Sequence, residues 1–126
     1  MKVLVLKKRK DFLRAAKGLK SVAPSLILQA AQSLSTPYKP RLDDGCYLGF
    51  TATKKLGKAH LRNRVKRRLR AAAAACFPAQ ARAGTDYVLI GRYNTAETGF
   101  EKLKADMTKA LEDINRQLEA KARAAT

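Results

Sequence analysis

No acidic residue separates Asp44 from Asp86, and the centre of that interval, HLRNRVKRRLR at 60–70, carries Arg62, Arg64, Lys66, Arg67, Arg68 and Arg70. Within and just after it, Leu61, Val65, Leu69, Ala72 and Cys76 recur every three or four residues, the spacing of one face of an α-helix. A helix is therefore expected from 58 to 76, favoured by the alanines at 71–75 and ended within a turn by Pro78. At about 100° per residue the apolar stripe centres near Val65. Asn63, Arg67 and Arg70 then project from the opposite side, and Arg62, Arg64, Lys66 and Arg68 take the flanks. So slim a stripe can seat a helix on a sheet and do little more. A merely solvated helix mixes signs, because like charges four residues apart cost a few tenths of a kcal/mol. An acid-free run of this length points instead to an anionic partner.

The rest of the chain supplies the sheet. Residues 7–19 place Phe12, Leu13, Ala16 and Leu19 at near-helical spacing, with Gly18 as the stop. SLILQAAQ at 25–32 is too short and too uniformly apolar for a helix and reads as a strand, preceded by a short strand around 20–23. Pro37, Pro40, Asp44 and Gly45 mark 35–45 as a loop. Over 46–55, Leu48, Phe50 and Ala52 alternate with Tyr47, Thr51 and Thr53, the period-two pattern of a half-buried strand, and Gly57 permits a sharp turn after it. DYVLIGRY at 86–93 is a strand rich in β-branched and aromatic residues. A last helix over 98–120 buries Phe100, Leu103, Met107, Leu111, Ile114 and Leu118, with Thr98 and Glu101 spaced as a capping box. Residues 121–126 are expected to fray. The order is helix, strands, helix, strand, helix, an α+β sandwich on one sheet. All 126 residues fit a single domain with an ordered core over about 5–118.

Charge narrows the function. After Tyr93 six bases balance six acids, so the whole net charge of +17 lies in residues 1–93. Such a field attracts polyanions, and nucleic acid is the commonest one inside a cell. No run of about 20 apolar residues is present to span a membrane, and Val3–Leu6 is too short for a signal peptide, so the cytoplasm is the expected compartment. Cys46 and Cys76 lack any paired motif and read as reduced, structural thiols. His60 is the only histidine and no carboxylate cluster or metal-ligand spacing occurs, which excludes a self-sufficient nuclease and leaves no catalytic or metal-binding residue to assign. A DNA-binding zipper is excluded too, since five alanines and Pro78 stand where a leucine heptad would have to continue.

KKLGKAHLRNRVKRRLR resembles the signature of the bacterial ribonuclease P protein component, the small basic partner of a catalytic RNA. The resemblance centres on Arg62-Asn63-Arg64 and Lys66-Arg67, on a helix after a strand that ends in Lys54-Lys55. LKKRKDF near the N-terminus and DYVLIGR before an amphipathic final helix are similar to the family as well, so the likeness covers about 5–118.

The resemblance implies a two-layer α/β sandwich like a ribosomal-protein domain, its single mixed sheet containing an unusual left-handed β-α-β crossover through the arginine-rich helix. Ordinary crossovers are right-handed. It also implies a subunit of an endoribonuclease that removes the 5′ leader from precursor tRNA. There the RNA subunit holds the catalytic Mg²⁺ and does the hydrolysis, and the partners are that catalytic RNA and precursor tRNA, with neither membrane nor DNA. Carried over by position, Lys54, Lys55, Arg62, Asn63, Arg64, Lys66, Arg67, Arg68 and Arg70 form the surface for the RNA subunit. Lys8, Arg9, Phe12, Gln29 and Tyr87 lie at the leader cleft. The family often has aromatics where this chain has Ala16 and Gln29, so polar or backbone contacts take over part of the stacking. The other reading is a basic ribosomal or structured-RNA-binding protein with no enzymatic partner.

Overall fold

A computed structural model describes residues 1–125. The elements are β1 (Lys2–Val5), α1 (Arg9–Ala16), β2 (Leu19–Val22), β3 (Leu26–Gln32), β4 (Gly45–Thr51), α2 (Ala59–Gln80), β5 (Thr85–Gly91) and α3 (Phe100–Ala124). The five strands form one mixed sheet in the order β1-β4-β5-β3-β2. β1 and β4 pair parallel, as do β4 and β5, whereas β3 runs antiparallel to both β5 and β2. Helix α2 is thus the connection between two adjacent parallel strands, the β-α-β unit that the resemblance implies.

Strand alternation decides what each sheet face meets. Leu26, Leu28, Ala30, Cys46, Leu48, Tyr87 and Leu89 face α2 and α3, and with Val65, Leu69, Phe77, Leu103, Met107, Leu111 and Ile114 they make the main core. Each large aliphatic side chain so buried contributes about 1.5–3 kcal/mol. The Phe77 and Tyr87 rings meet edge to face, with centroids 5.3 Å apart. On the other face the short α1 covers only part of the sheet, through a smaller cluster of Leu6, Ala15, Tyr47 and Val88 flanked by Phe12 and Ile90.

Several boundaries differ from the sequence reading, each for a local reason. The run at 3–6, set aside as too short for a signal peptide, enters β1, which gains its hydrogen bonds from the distant β4. Helix α1 is shorter than 7–19, because the chain must turn closely against β3: a Cβ on Gly18 would collide with the Ala30 carbonyl oxygen. Lys54–Leu56 form a single 3₁₀ turn, not the end of a strand, and Gly57 at φ 129° reverses the chain into α2. Pro78 lies inside α2, which continues to Gln80. The carbonyl left without a donor is that of Ala74, an exposed residue, and only the final turn is affected. Thr98 does not cap α3; its hydroxyl donates to the Asn94 carbonyl at 2.8 Å, and Gly99 takes the N-cap position. Instead of fraying from 121, α3 runs to Ala124, while Thr126 lies outside the described residues.

Candidate nucleic-acid interface

The slim stripe of α2 behaves as its spacing requires: Val65, Leu69, Ala72, Ala73 and Cys76 are buried, while Asn63, Arg64, Arg67 and Arg70 are exposed. Arg62 and Lys66 are half-buried on the flanks, their stems lying along the protein. Lys54 and Lys55 are exposed on the turn that leads into the helix. Arg70 lies over the Phe50 ring, 5.3 Å from its centroid, which ties the helix to the edge of β4. Among the described residues no cation from Lys54 to Arg70 takes part in an ion pair. The exposed ones, Lys54, Lys55, Arg64, Arg67 and Arg70 among them, carry their charge on the solvent side, where phosphate can take it in two parallel hydrogen bonds per guanidinium.

The sheet face that α1 leaves open forms a second surface. Two rows of residues lie on this side of the sheet by register: Lys20, Gln29, Val88 and Gly49, of which Val88 and Gly49 are buried under α1, then the more open row of Val22, Ile27, Ile90 and Thr51. Phe12 closes the first row from above, and a Cβ on Gly49 would sit 2.5 Å from its Cζ, so glycine is what lets that ring lie against the strand. Phe12 and Gln29 are therefore on the same side of the sheet, a placement compatible with what the resemblance implies. Arg9 is exposed on α1, and Lys8 just before it holds its ammonium 5.6 Å from the centre of the Tyr38 ring. The second row escaped the sequence reading. Val22 is 55% exposed on the edge strand, a position that looks like core until the open face is seen.

A family model described as Ribonuclease P matches residues 1–115. The ribonuclease P protein component of Paramagnetospirillum magneticum is 49% identical over 110 residues, covering 86% of this chain and 80% of the relative. That of Ruegeria pomeroyi is 42% identical over 114 residues, covering 90% and 87%. The chain belongs to the ribonuclease P protein family. Its fold agrees with solved members: the RNase P protein of Thermotoga maritima superposes with a TM-score of 0.69 at 23% identity, covering 86% of this chain and 94% of the other. That of Staphylococcus aureus gives 0.67 at 23%, covering 90% and 96%.

In this chain two of the expected site residues are turned inward. Arg68 donates to the carbonyl oxygens of Thr95 at 2.8 Å and Ala96 at 2.7 Å and to that of Thr98, so its guanidinium braces the segment before α3 and is not free on the outer ridge. Tyr87 is 0% exposed and faces α2 and α3. Its hydroxyl donates to Asn115 Oδ1 at 2.6 Å and accepts from the Arg82 N–H at 2.8 Å. Burial pushes its pKa up to about 12. Period-two alternation already puts Tyr87 and Val88 on opposite faces, and that was the signal against it.

A buried polar cluster, unseen in the sequence, fixes the 35–45 loop and α1 to the sheet. Asp86 accepts from Lys39 Nζ at 2.8 and 3.0 Å, from Ser33 Oγ at 2.6 Å and from Arg14, which also donates to Asp11 at 2.8 Å. Two acids and Lys39 are thus buried together, with the half-buried Arg14 closing the cluster from the solvent side. Cys46 and Cys76 are free and buried. Burial first, then the Asp86 charge, raises the Cys46 thiol to about 11, which keeps it protonated and unreactive at neutral pH. Among the described residues no group of three or more His, Cys, Asp or Glu is placed to hold a metal ion, and no helix is long and apolar enough to cross a membrane.

Proposed function

We propose that this chain is the protein subunit of a cytoplasmic ribonuclease P ribonucleoprotein, docking on the catalytic RNA through α2 and taking the 5′ leader of precursor tRNA on the open sheet face. The observation that carries this reading is the acid-free outer side of α2, where Asn63, Arg64, Arg67 and Arg70 stand exposed beside Lys54 and Lys55. Five cations meeting phosphates give a log–log salt slope of about −4, with Arg68 withdrawn from the count. Asn63 adds a donor and an acceptor for a base edge or a 2′-hydroxyl. A divalent ion does not fit among these cations, and the chain offers no carboxylate between Asp44 and Asp86 to hold one. The catalytic Mg²⁺ is accordingly assigned to the RNA.

The leader's surface suits a strand of varied sequence. Ile90, Ile27 and Val22 give an apolar floor, Phe12 an aromatic wall, Gln29 one hydrogen-bonding amide, and Lys20 and Arg9 the cations at its rim. Stacking and apolar contact tolerate any base. The test is reconstitution: added at low Mg²⁺ to the catalytic RNA transcribed from the same genome, the full chain accelerates cleavage of a precursor that carries a 5′ leader. Absence of stimulation would reassign the protein as a structured-RNA-binding protein without an enzymatic partner.

A further inference from the structure

The turn between β5 and α3 is braced far beyond what a connection needs. Arg68 holds three of its carbonyls, at Thr95, Ala96 and Thr98. From the other side Arg92 donates to the Ala23 carbonyl at 2.9 Å, Asn94 to that of Pro24 at 3.0 Å and the Thr95 hydroxyl to that of Ser25 at 2.6 Å. Within the turn the Arg92 N–H donates to Thr95 Oγ1 at 2.7 Å. Thr95 and Ala96 are buried by this arrangement, yet the turn's largest side chain, Tyr93, is 81% exposed. The bracing therefore fixes the backbone from which an aromatic ring is displayed.

We propose that Tyr93 is a stacking platform for an unpaired nucleobase of the RNA bound by this protein, and that Arg68 is its positioning residue. The inference rests on the RNA-binding reading above. A single exposed tyrosine needs no explanation on an ordinary surface; one carried on a backbone clamped from two sides has already paid the ordering cost that stacking otherwise incurs. Arg64 lies one helical turn before Arg68 on the same flank of α2. A phosphate gripped by Arg64 thus brings the neighbouring nucleotides to the turn that Arg68 holds. Glu97, the turn's one acid, is exposed and disfavours phosphate there, which leaves a base ring as the fitting partner. The base can come from the RNA subunit or from the leader, and both present unpaired nucleotides to be stacked.

The experiment measures binding of full-length Tyr93→Ala, Tyr93→Phe, Arg64→Ala and Arg68→Lys chains to the RNA subunit alone, and of precursor tRNA to each reconstituted holoenzyme, over a salt series. Melting temperatures check that the fold is kept. Tyr93→Ala weakens one of the two affinities about 5- to 100-fold with an unchanged salt slope, while Tyr93→Phe stays within about twofold. The affinity that falls identifies the source of the base. Arg64→Ala instead lowers the slope by about one. Arg68→Lys, which keeps the charge and loses the carbonyl clamp, weakens the same affinity as Tyr93→Ala and adds nothing in the Tyr93→Ala background. If Tyr93→Ala binds both RNAs like the parent while Arg64→Ala is weakened, the platform is overturned and the RNA-binding reading stands. If Arg64→Ala is also unaffected, both fall.

Discussion

Lys39 Nζ lies 2.8 Å from Asp86 Oδ2 and 4.5 Å from the centre of the Tyr47 ring, so a lysine from a loop is the one cation among the described residues that is buried. Removing either partner leaves an uncompensated charge in the interior, which costs about 3–5 kcal/mol. Asp86→Ala leaves Lys39 only the Asp11 carboxylate, 4.0 Å away and already paired with Arg14, and is expected at the upper end of that range. Lys39→Met leaves Asp86 with Arg14 and Ser33 and is expected to cost less. Urea unfolding of the two variants checks the order; equal or negligible losses would show that the cluster contributes nothing to the fold.

Arg64 and Arg68 are separated by one turn of the same helix and are expected to fail in different assays. Arg64 is exposed and touches no ion-pair partner among the described residues. Arg64→Ala therefore lowers RNA affinity and its salt slope while melting like the parent. Arg68→Ala removes the donor to three carbonyls and destabilises the protein by about 1.5–3 kcal/mol, since hydrogen bonds from a charged group are the stronger kind. A calorimetric scan of each beside a filter-binding titration separates the two roles. Were Arg68→Ala as stable as the parent, the clamp would carry no energy.

That contrast shows how far the sequence could be read. Val65, Leu69 and Cys76 announced one buried edge of α2 by spacing alone, and with it the whole outer set from Asn63 to Arg70. The destination of Arg68 was not legible, because its three acceptors are backbone carbonyls at 95–98, and carbonyls carry no side-chain signature. Strands with a local signal of their own were found, 46–55 by its alternation and 86–93 by its β-branched and aromatic residues. β1 was not, because its four residues are stabilised by pairing with Gly45–Leu48 and local periodicity says nothing about a distant partner. The Asp11, Arg14, Lys39 and Asp86 cluster draws on three separate segments for the same reason.

Alkali should loosen the fold through two buried acids. The Cys46 thiol is raised from 9.0 to about 11 and the Tyr87 hydroxyl from 10.0 to about 12, both chiefly by burial. In the unfolded chain these groups release their protons at the lower values, so above pH 9 the unfolded state holds fewer protons than the native one and stability falls as pH rises. The loss begins near pH 9, deepens to pH 12, and is on the order of 2 kcal/mol for the thiol. Cys46→Ala is expected to flatten the first part of the curve, from pH 9 to 11, in urea titrations at stepped pH. An unchanged curve would place the thiol's ionisation elsewhere. Below pH 8 neither group contributes any slope.

Phe12 and Gly49 make one device on the open face, the ring lying where a side chain on the strand would be. Gly49→Ala pushes a methyl into the ring, and with Phe12 only half-buried the ring can swing outward instead of straining the sheet. The expected cost in stability is about 1–3 kcal/mol, the range for overpacking. The expected functional effect is larger, because the ring leaves its place in the row with Gln29, beside which a leader nucleotide would rest. Phe12→Ala removes the ring outright and is expected to weaken precursor tRNA binding by the holoenzyme about 5- to 50-fold while sparing mature tRNA. The measurement is the ratio of the two dissociation constants. A ratio that stays at the parent value while both constants worsen together would mean that Phe12 serves the packing of α1 and not the leader.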